Sequence, residues 1–313
     1  MNTKHNVLKL FLFLCCPFIW SQQEASFSQY MFNHQAINPA YVGAQDFTQI
    51  TVVNRSQWNG VTGAPETQAI TLGHQFKDKN FGFGISSVID KIGPSQNTSV
   101  ALDFAYQLKL NDKNLKLGLG LKFSGRSYQL DNSMISPFDS SDLVFSSPMN
   151  NKFSPNIGAG LYLHNQKFYL GIAMPNFLED SEVSSYKRNF YMFSGGLVGI
   201  NKTIKLKPSL LVQKTELLPL TYDGSVLIVV NDKFWIGPQL RSTVSSGIPG
   251  EKSAGFYGAI AGIHIGKNLT LGYSYQGSTL NKNIGIINNS HELLLRFQLA
   301  PKIQGILRSP RLF

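Results

Sequence analysis

Leu115-Lys116-Leu117-Gly118-Leu119-Gly120-Leu121-Lys122-Phe123-Ser124 alternates without a break. Leu115, Leu117, Leu119, Leu121 and Phe123 are apolar; Lys116, Gly118, Gly120, Lys122 and Ser124 separate them. A strand sends successive side chains to opposite faces, so this stretch has one greasy face and one polar, partly basic face. The same period of two runs from Phe47 to Leu299. It predicts strands at 47–58, 66–77, 81–90, 97–110, 115–128, 154–164, 167–174, 190–200, 203–213, 221–231, 233–242, 255–265, 268–277 and 290–299. The expected fold is therefore all-β: an antiparallel transmembrane β-barrel of about 14 strands, the even number that single-chain bacterial barrels use. The greasy face would meet lipid and the polar face would line the lumen.

Individual strands assign the faces. Ile204, Leu206, Leu210 and Val212 share one parity; Thr203, Lys205, Lys207 and Ser209 share the other. Leu269, Leu271, Tyr273 and Tyr275 face lipid, opposite Thr270, Gly272, Ser274 and Gln276. In the last strand Leu293, Leu295, Phe297 and Leu299 face out, while Glu292, Arg296 and Gln298 face in. A charge on the lipid side costs about 2–4 kcal/mol at the midplane, so the lysines of these segments belong inside or near the ends. Frequent inward Gly points to tight packing or the close approach of a plug.

Short polar turns at 77–80, 111–114, 164–166, 231–233 and 266–268 would sit on the periplasmic side. The longer connections 129–153, 175–189, 243–254 and 278–289 would face outward. Residues 1–21 read as a secretory signal: Lys4 and Lys9 precede an apolar run from Leu10 to Trp20, too short for a membrane anchor. Losing it takes both cysteines, Cys15 and Cys16, and lowers the formal net charge from +10 to +8. Disulfides, thiol catalysis and cysteine zinc sites are then excluded. No later stretch holds the roughly 18 apolar residues a membrane helix needs, so the bilayer is crossed by strands. Export, and basic residues spread rather than massed, argue against nucleic acid. The barrel is expected over 47–300, with a tail at 301–313.

Residues 22–46 form a separate N-terminal arm. Phe27, Tyr30, Met31 and His34 fall at helical spacing with Ser26 as N-cap, until Asn38-Pro39 breaks the pattern. The expectation is a short helix or irregular arm packed on or in the barrel.

Chemistry finds no foothold. His34, His74, His164, His264 and His291 include no pair at metal-ligand spacing. There is no Gly-x-Ser-x-Gly elbow, so a Ser-His-Asp hydrolase would have to be assembled from separate strands. Asp131, Asp139 and Asp142 lack the spacing of a calcium loop. Phe81-Gly82-Phe83-Gly84 is no phosphate loop, because no helix follows it. The expected protein is not an enzyme and has no cofactor. Asp90-Lys91-Ile92-Gly93-Pro94 reads as a strand end entering a Gly-Pro turn, either a structural corner or a docking point.

Several words of the chain match those of a known family. They are Phe27-Ser28-Gln29-Tyr30-Met31-Phe32-Asn33, Ile37-Asn38-Pro39-Ala40-Tyr41-Val42-Gly43, Arg55-x-x-Trp58 with Gly63-Ala64-Pro65-x-Thr67-Gln68, and Asp90-Lys91-Ile92-Gly93-Pro94. Later come Phe168-Tyr169-Leu170-Gly171 with Pro175-Asn176, Lys207-Pro208-Ser209, Phe234-Trp235-Ile236-Gly237 with Arg241-Ser242, Leu271-Gly272-Tyr273, and Ser290-His291-Glu292. Together and in this order they resemble the PorP/SprF family of outer-membrane proteins associated with the type IX secretion system. The resemblance implies a bacterial outer-membrane location and a non-enzymatic role. That role is assisting the secretion or surface anchoring of a secreted protein, such as a gliding-motility adhesin. The implied partners are that secreted substrate, periplasmic peptidoglycan-binding or other secretion-machine components, and the lipid bilayer. Candidate partner-contact or motif residues are Tyr30, Asn38, Pro39, Asp90, Lys91, Gly93, Pro94, His291 and Glu292. His291 and Glu292 could alternatively close the barrel through ion pairs. A basic lumen would suit an acidic client segment. The alternative function is a passive porin or small-solute channel, which requires an open, water-filled lumen.

Overall fold

The computed structural model describes residues 26–45, 47–76, 79–110, 115–131, 152–178, 188–216, 218–244, 255–278 and 289–299. The expected signal 1–21, the tail 301–313, the turn residues 111–114, Asp139 and Asp142, and most of the four long connections lie outside the described residues.

The strands are β1 (Thr48–Gln57), β2 (Glu66–Gln75), β3 (Phe81–Ile92), β4 (Ser95–Lys109) and β5 (Lys116–Leu130). Then come β6 (Lys152–His164), β7 (Phe168–Met174), β8 (Asn189–Gly196), β9 (Val198–Gly199) and β10 (Ile204–Thr215). The series ends with β11 (Thr221–Val230), β12 (Phe234–Thr243), β13 (Gly255–Ile265), β14 (Leu269–Ser278) and β15 (Asn289–Leu299). The segments β8 and β9 both pair with β10 and are two parts of one broken strand. The break at Leu197 lies across from Lys207 and Pro208, where the proline has no N–H to offer the ladder. Leu197 instead donates its N–H to the Lys167 carbonyl at 2.7 Å. The wall therefore has fourteen strands, each antiparallel to its neighbours, and β1 closes it against β15 from Thr48↔Leu299 to Gln57↔Ser290. Closure leaves no sheet edge in lipid.

Alternation sets the two faces. In β5 Leu119, Leu121 and Phe123 are exposed on the outer surface, while Gly118, Gly120 and Lys122 are buried inside. Lys122 lies directly across from Asp103 of β4, and its Nζ is 2.8 Å from Asp103 Oδ1. Phenylalanines crowd the outer surface toward the short-turn end, with the Phe76 and Phe81 rings 5.8 Å apart. Tyr273, Tyr275 and His291 do so toward the other end. Two aromatic girdles flanking an apolar band suit a membrane wall. Phe123 is the middle residue of β5, so Phe123→Arg is expected to destabilise the barrel by about 2–4 kcal/mol. Urea unfolding from lipid vesicles measures it.

The lumen departs from a simple polar lining. Tyr162, Tyr169, Phe193, Leu211, Leu227, Trp235, Ile260 and Leu294 all point inward and form a buried apolar cluster with the N-terminal arm. These inward residues interrupt the alternation, as in Leu210-Leu211 and Leu293-Leu294-Leu295. They are there because the lumen holds protein instead of water.

Candidate functional site

Residues 26–45 lie inside the barrel, and nearly every one of them is buried. Of the two expected forms, a short helix or an irregular arm, residues 26–45 take the irregular one. It contains three 3-10 turns, Tyr30–Phe32, His34–Ala36 and Pro39–Tyr41. The first follows Gln29 with no side-chain cap, so Ser26 caps nothing. A segment buried away from water must find partners for its N–H groups, in a helix or from its surroundings. Here the barrel supplies the partners. The Glu292 carboxylate accepts from the Ser28 and Gln29 N–H groups at 2.7 and 2.8 Å.

The barrel holds the first part of the arm mostly by its carbonyls. Arg55 donates to Ser26 O, Arg241 Nη2 to Phe27 O at 3.2 Å, and Gln239 Nε2 to Ser28 O at 2.8 Å. Arg241 and Gln239 are themselves oriented by Asp223, whose two carboxylate oxygens each receive a 2.8 Å hydrogen bond. Deeper in, Lys207 Nζ reaches Met31 O at 3.4 Å and Arg296 Nη1 reaches Phe32 O at 3.3 Å. The Phe32 ring lies 3.9 Å from Lys207 Nζ and 5.6 Å from the Arg296 guanidinium carbon, with the Trp235 ring 5.1 Å away. Two cations and an indole around one ring make a cation–π seat in a dry site.

From Asn33 on, side chains carry the fit. Thr71 donates to Asn33 Oδ1 at 3.0 Å, the Tyr162 hydroxyl is 3.3 Å from His34 Nδ1, and Gln35 Nε2 donates to Leu72 O at 2.9 Å. The side-chain oxygen of Asn38 accepts from the Ala40 N–H, with Pro39 opening the turn, and Asn38 Nδ2 donates to Leu161 O, both at 2.9 Å. Asn38-Pro39 thus starts a turn and fastens it to β6. Gln107 Nε2 then holds Ala40 O and Val42 O at 3.0 and 3.1 Å. The wall here is bare backbone. A Cβ on Gly120 would collide with Ala40, and one on Gly43, at φ +79°, would sit 2.8 Å from the Gly82 Cα.

These contacts give the arm a direction. Ser26 to Tyr30 meet residues near the long-connection ends of β1, β11, β12 and β15; Ala40 to Gly43 meet the short-turn ends of β3, β4 and β5. The chain descends the length of the lumen and turns into β1. Its surroundings are net basic: Arg55, Lys122, Lys207, Arg241 and Arg296 are buried there with Asp103, Asp223 and Glu292.

The structure sorts the residues singled out in sequence. Tyr30, Asn38, Pro39 and Glu292 are all buried in the lumen, Tyr30 and Glu292 toward the long-connection end and Asn38-Pro39 against β6. Asp90, Lys91, Gly93 and Pro94 form a corner at the long-connection end. There Thr67 Oγ1 donates to Asp90 Oδ1 at 2.6 Å, and Gly93, at φ +54°, donates its N–H to Gly63 O at 2.9 Å. His291 and Glu292 point to opposite faces, with Glu292 in the lumen across the closing seam from Arg55. The His291 Nδ1 lies 2.7 Å from the Tyr273 hydroxyl on the outside. Arg55, Gln107, Lys207, Gln239, Arg241 and Arg296 were not candidates, although inward parity in a membrane strand marks any charged residue as partnered or functional. Among the described residues no group of three His, Asp or Glu side chains could hold a metal, and no helix is long and apolar enough to cross a membrane.

A family model described as type IX secretion system membrane protein PorP/SprF matches residues 19–297. No curated protein matches the chain. Similar solved structures include the Acinetobacter baumannii outer membrane protein Omp33, at 9% identity and TM-score 0.48, covering 82% of this chain and 100% of that one. A Pseudomonas aeruginosa FadL homologue aligns at 14% identity and TM-score 0.45, covering 87% and 94%. The KdgM porin in complex with disordered oligogalacturonate aligns at 11% identity and TM-score 0.38, covering 80% and 98%.

Proposed function

Because the chain belongs to the PorP/SprF family of type IX secretion system membrane proteins, we propose that this outer-membrane barrel recognises a secreted protein. It assists that protein's export or its anchoring at the cell surface, without catalysing a reaction. The client class is a large secreted protein such as a gliding adhesin, and periplasmic peptidoglycan-binding components of the secretion machine are the second partner. The observation that carries this reading is the filled lumen. An arm fastened along its length by buried hydrogen bonds occupies space that a passive porin would keep open for solute. Recognition then falls to the long connections, to the corner at Asp90-Lys91-Ile92-Gly93-Pro94, and to whatever can reach the lumen mouth. The excess of buried cations favours acidic client segments.

Crosslinked purification of the tagged protein from outer membranes tests this. Co-purification of a large secreted protein together with a periplasmic component is expected. A partnerless barrel that conducts ions freely in planar bilayers sinks the reading and promotes the porin.

A further inference from the structure

The barrel treats the two parts of the arm differently. Over residues 33–38 it reads side chains, as Asn33, His34, Gln35 and Asn38 show. Over residues 26–32 its charged groups read main chain. Arg55, Arg241, Lys207 and Arg296 each donate to a carbonyl, and Glu292 accepts from two consecutive N–H groups. Carbonyls and amides are common to every peptide. Side-chain selectivity in this part centres on the seat around Phe32, with two further points where Gln29 Nε2 donates to Glu292 O at 3.3 Å and the Tyr30 hydroxyl to Asp223 O at 3.2 Å.

We propose that the half of the lumen nearer the long connections is a peptide-binding channel, occupied by the arm at rest, which takes an extended segment of another protein when the arm withdraws. The ligand class follows from the contacts. It is a non-helical peptide with an aromatic residue for the Phe32 seat and residues other than proline three and four positions before it, since Glu292 needs both amides. Hydrogen-bonding side chains at the two positions that match Gln29 and Tyr30 add to the fit, the remaining positions are tolerant, and acidic side chains are favoured by the surrounding cations. This half of the lumen is the one expected to face outward, so the segment would enter from the side where a secreted client would stand. Only the identity of the incoming chain as a client rests on the function proposed above.

The test uses the full-length chain with Phe32→Ala and Asn38→Ala, changes in the arm that leave the channel wall intact. In planar bilayers this chain is expected to conduct where the native chain is closed. A synthetic peptide with the sequence of residues 26–36 is then expected to block it. A peptide keeping Gln29, Tyr30, Phe32 and residues 33–36 but with alanine at positions 27 and 31 still blocks. Replacing Phe32 in the peptide weakens block roughly tenfold, the scale of a desolvated cation–π contact. Proline at positions 28 and 29 abolishes block. The proposal is overturned if no peptide blocks, or if only the native sequence does. Should the doubly substituted chain fail to fold, a photoreactive residue at Ser225, on the lumen wall of the chain with its native arm, is expected to capture the added peptide. No capture at any peptide concentration overturns the proposal. A client that co-purifies with the barrel while no peptide blocks leaves the secretion role standing and puts recognition on the connections. Block without any co-purifying client does the reverse.

Discussion

Glu292→Ala releases the upper part of the arm and destabilises the whole barrel. The carboxylate is 1% exposed, accepts from two arm amides, and sits across the closing seam from Arg55. Its removal orphans those amides and leaves a buried guanidinium with less opposing charge. Each buried donor left unsatisfied costs about 1–3 kcal/mol, and here there are two. Urea unfolding in detergent micelles, followed by tryptophan fluorescence, is expected to show a loss of that size. Glu292→Gln keeps an acceptor oxygen and is expected to lose distinctly less. A second readout separates release of the arm from general weakening. Residues 26–45 contain Phe27, Tyr30, Phe32 and Tyr41 but no Lys or Arg, so the loosened arm becomes open to chymotrypsin while trypsin leaves it alone. Equal chymotrypsin resistance in native and Glu292→Ala protein would overturn the assignment of Glu292 as the arm's upper fastening.

Gly120→Val is expected to have the largest effect on permeability. The residue is on the inner face of β5, where a side chain would run into the Ala40 backbone. Overpacking a well-filled site costs about 1–3 kcal/mol, and more where backbone must move. The arm's lower half yields more readily than a fourteen-stranded wall, so the collision lifts Pro39–Tyr41 away and breaks the Gln107 hydrogen bonds to Ala40 and Val42. Planar-bilayer recordings should show a stepwise rise in conductance over the native chain. Gly199→Val, where an added Cβ meets nothing, should not. Unchanged conductance in Gly120→Val would mean the glycine floor does not set the arm's seat.

Much of the wall could be read from the chain because a period of two is a local signal. Leu115 to Ser124 declares its faces without reference to any neighbour, and the predicted 81–90 and 115–128 lie within two residues of β3 and β5 at each end. The arm was less legible. Phe27, Tyr30, Met31 and His34 imitate a helical stripe because they pack on several walls of a cavity, and the amides that would close a helix go to Glu292, a residue more than 260 positions away. No local pattern encodes that partner. The apolar half of the lumen was hidden for a related reason. Alternation separates two faces but does not say that the inner one also meets protein, so Tyr162 and Trp235 gave no sign of their role as seats for His34 and Phe32. Inward charges such as Lys207 and Arg296 could be placed by parity; what they hold could not.

The seam between β1 and β15 joins the two ends of the barrel, and Glu292 on one side of it grips Ser28 and Gln29. That ties the seating of the arm to the closing of the wall. In the unfolded chain neither is yet formed, and a sheet that wraps around the arm makes both together. The final zipping of the first strand to the last is a contact of very high sequence separation, the slowest kind to form. A segment that touches β1's neighbours and β15 at once shortens that search. In the nascent protein, then, the arm acts as a mandrel on which the wall is wound and by which its last register is set.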